Sequence, residues 1–316
     1  MRILITFLIL GLFLSGCKQR KIENNMPVVS IGDLERIHSF KSGFVVTRDI
    51  DVWLPPGYSE GADFPVLYMH DGQNLFDSTT TWNKQEWGVD EVLGKLILDG
   101  TVEPIIVVGI WNGGKGRHTE YLPQKPFVKL KETLLSSKRW QGSSSTKKTI
   151  SEFVPESDNY LKFLVTELKP HIDQNYKTDK SKAGSFIAGS SMGGLISMYA
   201  ICEYPDIFGG AACLSTHWPG LHITENNPIP GAFIDYLNHH LPDPANHTFY
   251  FDFGTETLDS LYEPYQIKVD GVMQLNGYTT ENWMSKKFEG HDHSERSWNK
   301  RLDIPLQFLI NNANKN

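Results

Sequence analysis

Cysteine is scarce in this chain. Three cysteines in 316 residues cannot build a disulfide framework. Cys202 and Cys213 fall in apolar stretches that read as helix and strand, where a thiol behaves as a small buried hydrophobe. A surplus of positive charge is also missing. Thirty basic residues face 37 acidic ones, and a net charge of −7 leaves no basic field to draw in nucleic acid. No stretch is long and apolar enough to span a bilayer as a helix, since the run from Ile3 to Leu14 is too short. No segment repeats at a fixed period, which argues against solenoids and propellers.

What is present begins with that short run. It follows Arg2 and leads through Leu14, Ser15 and Gly16 into Cys17. A charged start, a short apolar core and small residues before a cleavage point make a signal peptide, and small residues leading directly into cysteine resemble the bacterial lipobox. The expectation is a signal peptide over 1–16, a lipidated Cys17 with a polar tether over 17–32, and one domain over 33–316. Several acyl chains on Cys17 would hold the protein durably at a membrane, so the expected setting is the bacterial cell envelope.

Past the tether, short apolar runs alternate with helical patterns. "RDIDVWL", "FPVLYMH", "PIIVVGI", "SFIAG", "GGAACLS" and "TFYFDFG" read as strands, with another near Trp283 to Phe288. "WGVDEVLGKLIL", "YLKFLVTELKPHI" and "GLISMYAICEY" read as helices, as do about Leu261 to Leu275 and a last segment ending near Leu309. Strand–helix alternation predicts an α/β fold, a mostly parallel central sheet with helices on both faces. Two stretches read as inserted loops, the polar Lys138 to Phe153 and the Pro- and His-rich His217 to His247. Loops at the carboxyl ends of strands are where such sheets bind ligands.

"FIAGSSMGGLISMYA" carries the chemistry. Gly189-Ser190-Ser191-Met192-Gly193 is a G-x-S-x-G match placed between an apolar strand and a helix, the setting of a nucleophile elbow. Ser191 would stand at the tip of a tight turn. The Met192 amide at the helix start is one expected donor to an oxyanion, and the Gln73 amide, in the "DGQN" turn after an early strand, is the second. A serine needs a base. His291 and His293 lie in "FEGHDHSERSW", and Asp252, Glu256 and Asp259 lie in "FDFGTETLD". The order is serine, acid, histidine, that of the α/β-hydrolases.

These blocks, with "VLYMHDGQNLFD", "EWGVDEVL" and "YPDIFGGAACLS", resemble the Putative esterase family of α/β-hydrolases. That family holds feruloyl and acetyl-xylan esterases, S-formylglutathione hydrolase, siderophore trilactone esterases and mycolyltransferases. The likeness runs from about Asp49 to Leu309 and implies the α/β-hydrolase fold. Position by position it implies Ser191 as nucleophile, His293 as base and Asp259 as acid, with Glu256 as the alternative acid. No cofactor and no metal are implied. Asp71, Trp111, Arg117, His217 and Trp218 are expected to border the substrate pocket, with Arg117 either meeting an anionic substrate group or pairing with Glu120. The implied activity is a serine carboxylic ester hydrolase on carbohydrate esters, acetyl or feruloyl. A siderophore trilactone esterase, an acyltransferase of the mycolyltransferase type and a non-catalytic binding lipoprotein are the alternatives.

Overall fold

The computed structural model describes residues 26–58, 63–136, 144–221 and 226–313. The expected signal peptide and Cys17 lie outside the described residues. The strands are β1 (Asp33–Phe40), β2 (Arg48–Leu54), β3 (Val66–His70), β4 (Ile106–Ile110), β5 (Ser185–Ser190), β6 (Gly210–Leu214), β7 (Thr248–Gly254) and β8 (Trp283–Phe288). They form one sheet in the order β1-β2-β4-β3-β5-β6-β7-β8. The β1–β2 and β2–β4 pairs are antiparallel. From β4 onward every pair is parallel. This is the α/β-hydrolase fold, with its mostly parallel sheet.

Every residue of β3, β4, β5, β6 and β7 is buried. Strands covered on both faces read as continuous apolar runs rather than alternating ones, and that is how "VLYMH", "IVVGI" and "GAACL" read. The edge strands β1 and β8 are only partly buried.

The helices are α1 (Val89–Leu98), α2 (Arg117–Tyr121), α3 (Gln124–Ser136), α4 (Ser144–Glu152), α5 (Ser157–Phe163), α6 (Lys169–Asn175), α7 (Met192–Glu203), α8 (Ile229–His240), α9 (Glu263–Leu275), α10 (Glu295–Asn299) and α11 (Asp303–Ala313). In α7 every residue but Glu203 is buried, as a helix apolar all round must be. The helix expected through "YLKFLVTELKPHI" runs without a break from α5 into α6, through a π-helical stretch over Leu164–Leu168. Pro170 opens α6 and has no amide hydrogen for the α-helical ladder.

Both stretches read as loops contain helices. In α8, Ile229, Phe233, Tyr236 and Leu237 are buried, a one-faced pattern at helical spacing that the neighbouring prolines and histidines conceal. In α4 only Thr146 and Ile150 are buried, too short an apolar stripe to stand out. Within the expected tether, the described residues from 28 on are bound to the domain rather than free. The Val28 amide donates to Asp77 at 2.9 Å, the Ser30 amide to Asp90 at 2.6 Å, and Trp53 Nε1 to the Ile31 carbonyl at 2.8 Å.

Candidate active site

The β5–α7 junction is a strained turn. Ser191 has φ 58° and ψ −120°, a region L-residues avoid at a cost of about 1–3 kcal/mol. The surroundings hold it there. Its amide donates to the Leu214 carbonyl at 2.9 Å, and its carbonyl accepts from the amides of His217, Gly194 and Leu195 at 3.1–3.2 Å. Glycine at 189 is obligatory for packing, because a Cβ there would stand 2.8 Å from the Gly193 backbone. The second crowded position is Gly194, where a Cβ would meet Thr216 Oγ1 at 2.9 Å, rather than Gly193, whose nearest neighbour is His70 Cβ at 3.4 Å. Met192 opens α7, and an amide in a first helical turn has no partner inside its own helix.

Past β8, the His293 amide donates to Thr257 Oγ1 at 3.0 Å, and the ring packs edge-on against Trp298. Its Nδ1 lies 2.5 Å from Asp259 Oδ1. Asp259 is fully buried. The other oxygen of Asp259 accepts from the Ser215 hydroxyl at 2.5 Å and from the Gly254 amide at 2.7 Å. Burial alone would raise the pKa of this carboxyl, but hydrogen bonding and charge from His293, with help from Ser215 and Gly254, outweigh it, and the net shift is downward. Asp259 is therefore held as an acceptor, which fixes the imidazole with its proton on Nδ1 and leaves Nε2 free to accept. Glu256, the alternative acid, is exposed. His291 lies 3.3 Å from Arg301 rather than beside an acid.

Three residues that sequence reasoning passed over complete this support. Ser215, directly after β6, is in a left-handed conformation, φ 41°. Its oxygen accepts from Trp298 Nε1 at 2.9 Å and Arg301 Nη2 at 2.8 Å, so its one proton is directed to Asp259. Arg301 is consumed by Asp252, in a fully buried pair at 2.9 Å. Burial raises the pKa of Asp252 despite that partner. Asp252, in β7, thus holds Arg301, and Asp259, in the turn beyond it, holds His293, with Arg301 Nη2 3.8 Å from Asp259 Oδ2. The third residue is Tyr262. A polar "STH" directly behind a buried strand was a readable sign for Ser215; nothing in the sequence marks Arg301 or Tyr262, which arrive only by tertiary packing.

Ser191 and His293 border one cleft of about 660 Å³, together with Asp71, Gln73, Trp82 and Arg117. Asp71 has φ 57° and starts the short turn that carries Gln73. Arg117 grips Asp71 through two 2.7 Å hydrogen bonds, and Asn112 adds a third at 2.7 Å. Glu120, the expected partner of Arg117, is instead taken by Arg48 at 2.7 Å. Trp111 turns to a neighbouring groove, where Nε1 donates to Asp51 at 2.8 Å under the guanidinium of Arg36. Trp82 is 82% exposed at the rim.

Around His217, whose amide donates to the Ser191 carbonyl, the chemistry changes. A groove of about 740 Å³ is bordered by His217, Pro219, Leu258, Leu261, Pro264 and Tyr265. His217 Nδ1 lies 2.8 Å from the Tyr262 hydroxyl. Burial, reinforced by His293 and Arg117, lowers the His217 pKa to about 4, so the ring is neutral at neutral pH. Trp218 corrects an expectation. It is 1% exposed, its Nε1 donates to Gln266 at 3.2 Å, and it belongs to the core rather than to a pocket wall.

Residues 46–308 match the family described as Putative esterase. Over 291 residues the chain is 25% identical to the endo-1,4-beta-xylanase/feruloyl esterase of Xylanibacter ruminicola, covering 89% of this chain and 32% of that one. Over 162 residues it is 26% identical to the ferri-bacillibactin esterase BesA of Bacillus subtilis, covering 50% of each. Over 173 residues it is 26% identical to YbbA of the same organism, covering 54% of this chain and 58% of that one. The chain thus spans 32–58% of the length of these relatives. Among solved structures, an IroE-like serine hydrolase from Shewanella oneidensis superposes with a TM-score of 0.64 at 17% identity, over 89% of this chain and 80% of that one. A ferulic acid esterase superposes at 0.61 and 17%, over 89% and 99%. Likeness at that identity is one of fold. The family match extends over most of the chain, and the chain belongs to the Putative esterase family of α/β-hydrolases.

Proposed function

We propose that this protein is a serine carboxylic ester hydrolase in which Ser191 attacks, His293 moves the proton and Asp259 orients His293. The observation that carries this is the strained Ser191, which opens onto the same cleft as a histidine whose far nitrogen is bound to a buried carboxylate. His293 Nε2 takes the Ser191 proton as Oγ bonds to the ester carbonyl carbon. The tetrahedral oxyanion is held by the Met192 and Gln73 amides, each worth about 10²–10³ in rate. His293 then protonates the departing alcohol, and water releases the acyl group by the reverse route.

The substrate class we infer is a carbohydrate ester. The cleft beside Arg117 is polar and carries an exposed tryptophan, a surface on which a sugar ring stacks. The groove beyond His217 is apolar and suits an aromatic or aliphatic acyl group. The name of the Xylanibacter relative points the same way. Lipidation of Cys17 and residence in the cell envelope belong to the same proposal, since a tethered esterase meets polymer fragments at the cell surface.

The test is product release by the full chain from acetylated xylan, methyl ferulate and a catecholate trilactone, each run beside Ser191→Ala. Release from the first two, abolished by the substitution, supports the reading. Preference for the trilactone moves it to siderophore processing, as the name of the BesA relative suggests. Equal activity of wild type and Ser191→Ala removes the esterase.

A further inference from the structure

One charge in the nucleophile's cleft has no counter-charge. Among the described residues, the charged side chains that border this cleft are Asp71, Arg117 and Glu295. Asp71 and Arg117 neutralise each other through their paired hydrogen bonds. Glu295 is 8% exposed. Its side chain has one hydrogen bond among the described residues, from Asn83 Nδ2 to Oε2 at 2.9 Å, and Oε1 has none. The guanidinium groups of this region, Arg117 and Arg301, are taken by Asp71 and Asp252. A glutamate this buried is ordinarily paired with a cation.

The local structure does not account for that charge. Glu295 stands in the first turn of α10, where an acid complements the helix dipole. But α10 has five residues, and its cap is Ser294, whose side chain accepts from the Ser297 amide. Glu295 is instead held as part of a rigid wall. Asn83 Oδ1 accepts from the Gln85 amide at 3.1 Å, which fixes Asn83 in its own loop while Nδ2 pins Glu295. The same loop and helix are joined again where Asn299 Nδ2 donates to the Trp87 carbonyl at 2.8 Å, and where the Trp87 and Trp298 rings lie 5.2 Å apart. A second acceptor borders the cleft without a donor. Asn74 is 9% exposed, and its Oδ1 has no hydrogen-bond partner.

We propose that Glu295 is a specificity-determining residue, which accepts hydrogen bonds from hydroxyl groups on the alcohol half of the ester and excludes alcohols that carry negative charge. The inference rests on the serine esterase reading and narrows its substrate class to esters of neutral polyols. His293 must come within hydrogen-bond reach of the leaving oxygen to protonate it. Glu295 lies two residues beyond His293, and both border the same cleft, so the body of the alcohol is brought against Glu295. An ionised carboxylate only accepts, and the hydroxyls of a sugar donate. A carboxylate or phosphate on the alcohol would set like charges together in a partly buried cleft, where salt screens them poorly. Arg117 does not offset this, because Asp71 already holds its charge.

The experiment measures kcat/KM of the full chain for three phenyl acetates whose para substituent is a carboxamide, a carboxylate or a trimethylammonium group. Each value is divided by the rate constant for hydroxide hydrolysis of the same ester, which removes intrinsic reactivity. Wild type, Glu295→Gln and Ser191→Ala are compared, with melting temperatures. In wild type the normalised values are expected to fall from trimethylammonium to carboxamide to carboxylate, the last at least about 10-fold below the second. Glutamine keeps an acceptor for Asn83 and removes the charge. Glu295→Gln is expected to bring the three values to within about threefold of one another. Its KM for acetylated xylan is expected to rise about 3- to 10-fold, because a hydrogen bond to a charged acceptor is the stronger one. Equal normalised values in wild type overturn the inference, whether or not the variant folds. In a folded Glu295→Gln, the same fold-change on all three esters overturns it, as a merely structural role would give. An unchanged order there also overturns it, by assigning the discrimination to the net charge of −7, as does an unchanged KM for acetylated xylan. Activity of Ser191→Ala equal to wild type on the carboxamide ester would instead overturn the serine mechanism, so the two failures are distinct.

Discussion

The two sides of Ser191 are built from different materials. On one side, the turn after β3 and the loop after β4 carry Asp71, Gln73, Asn112 and Arg117, tied together by charge-assisted hydrogen bonds. On the other, the turn after β7 presents Leu258 and Leu261, the latter 54% exposed, in a groove that His217 and His118 also border. Polar groups that are fully paired among themselves are rigid. Exposed leucines along a groove are apolar surface that a ligand can cover. The first side is suited to holding an oxyanion donor and a polar substrate group in fixed places, and the second to taking up apolar area from substrates of varying size.

Substitutions separate the junction from its two walls. The largest effect belongs at the junction, where both walls depend on the same chemistry. Asp259→Asn is expected to lower kcat by about 10²–10⁴-fold on acetyl and feruloyl esters alike, measured by product release; a loss confined to one ester class would break the division into a shared centre and two walls.

Arg117→Met strikes the polar wall. It leaves the buried Asp71 carboxylate without its ion-pair partner, at a cost of about 2–4 kcal/mol, read as a lower melting temperature at neutral pH. The effect has a definite pH sign. Burial would raise the Asp71 pKa, but the Arg117 charge and hydrogen bonds outweigh it, and the net shift is downward. An acid held below its unfolded pKa contributes stability above that unfolded value and loses it as pH falls through the folded one. The melting temperatures of wild type and Arg117→Met therefore converge as pH drops below about 4. A gap that stays constant into acid would show that the pair is not what Arg117 supplies.

Leu261→Asp strikes the apolar wall. It is expected to raise KM for methyl ferulate by about 10-fold and to leave p-nitrophenyl acetate nearly untouched, because an acetyl group is too small to cover the groove. The smallest effect is at the rim. Trp82→Ala is expected to raise KM on acetylated xylan by about 3- to 10-fold, the loss of one stacking contact, with no change on small esters. Equal effects on polymer and small ester would remove Trp82 as a platform.

The sequence disclosed the parts of this site that are local and left out the parts that are not. Ser191, with its glycines between a strand and a helix, is recognisable because strand, turn and helix are consecutive. Chain order left His291 and His293, and Asp252, Glu256 and Asp259, open; the family likeness pointed to His293 and Asp259, which lie 2.5 Å apart. Trp218 was misread because a tryptophan after a strand looks the same whether it faces a pocket or the core; only the partner Gln266, 48 residues away, decides it. Arg117 reads from the sequence as pairing with Glu120 or meeting a substrate anion; its actual partner, Asp71, becomes its neighbour only because β3 and β4 pair side by side, His70 against Ile110. Ser215, Tyr262 and Arg301 come from three separate segments and meet only when the sheet is assembled. For the fold, buried strands and α7 were readable from their uninterrupted apolar character, while α8 was hidden by the prolines and histidines around its apolar stripe.

The central claim is that Ser191 is the nucleophile and that His293 is the base that activates it. The most direct measurement is covalent labelling of the full chain with a fluorophosphonate, with the adduct located by peptide mass spectrometry. The account predicts a single adduct on Ser191, absent in Ser191→Ala and slowed at least about 10²-fold in His293→Ala. An adduct on another residue, or labelling of Ser191 at the same rate without His293, would contradict it.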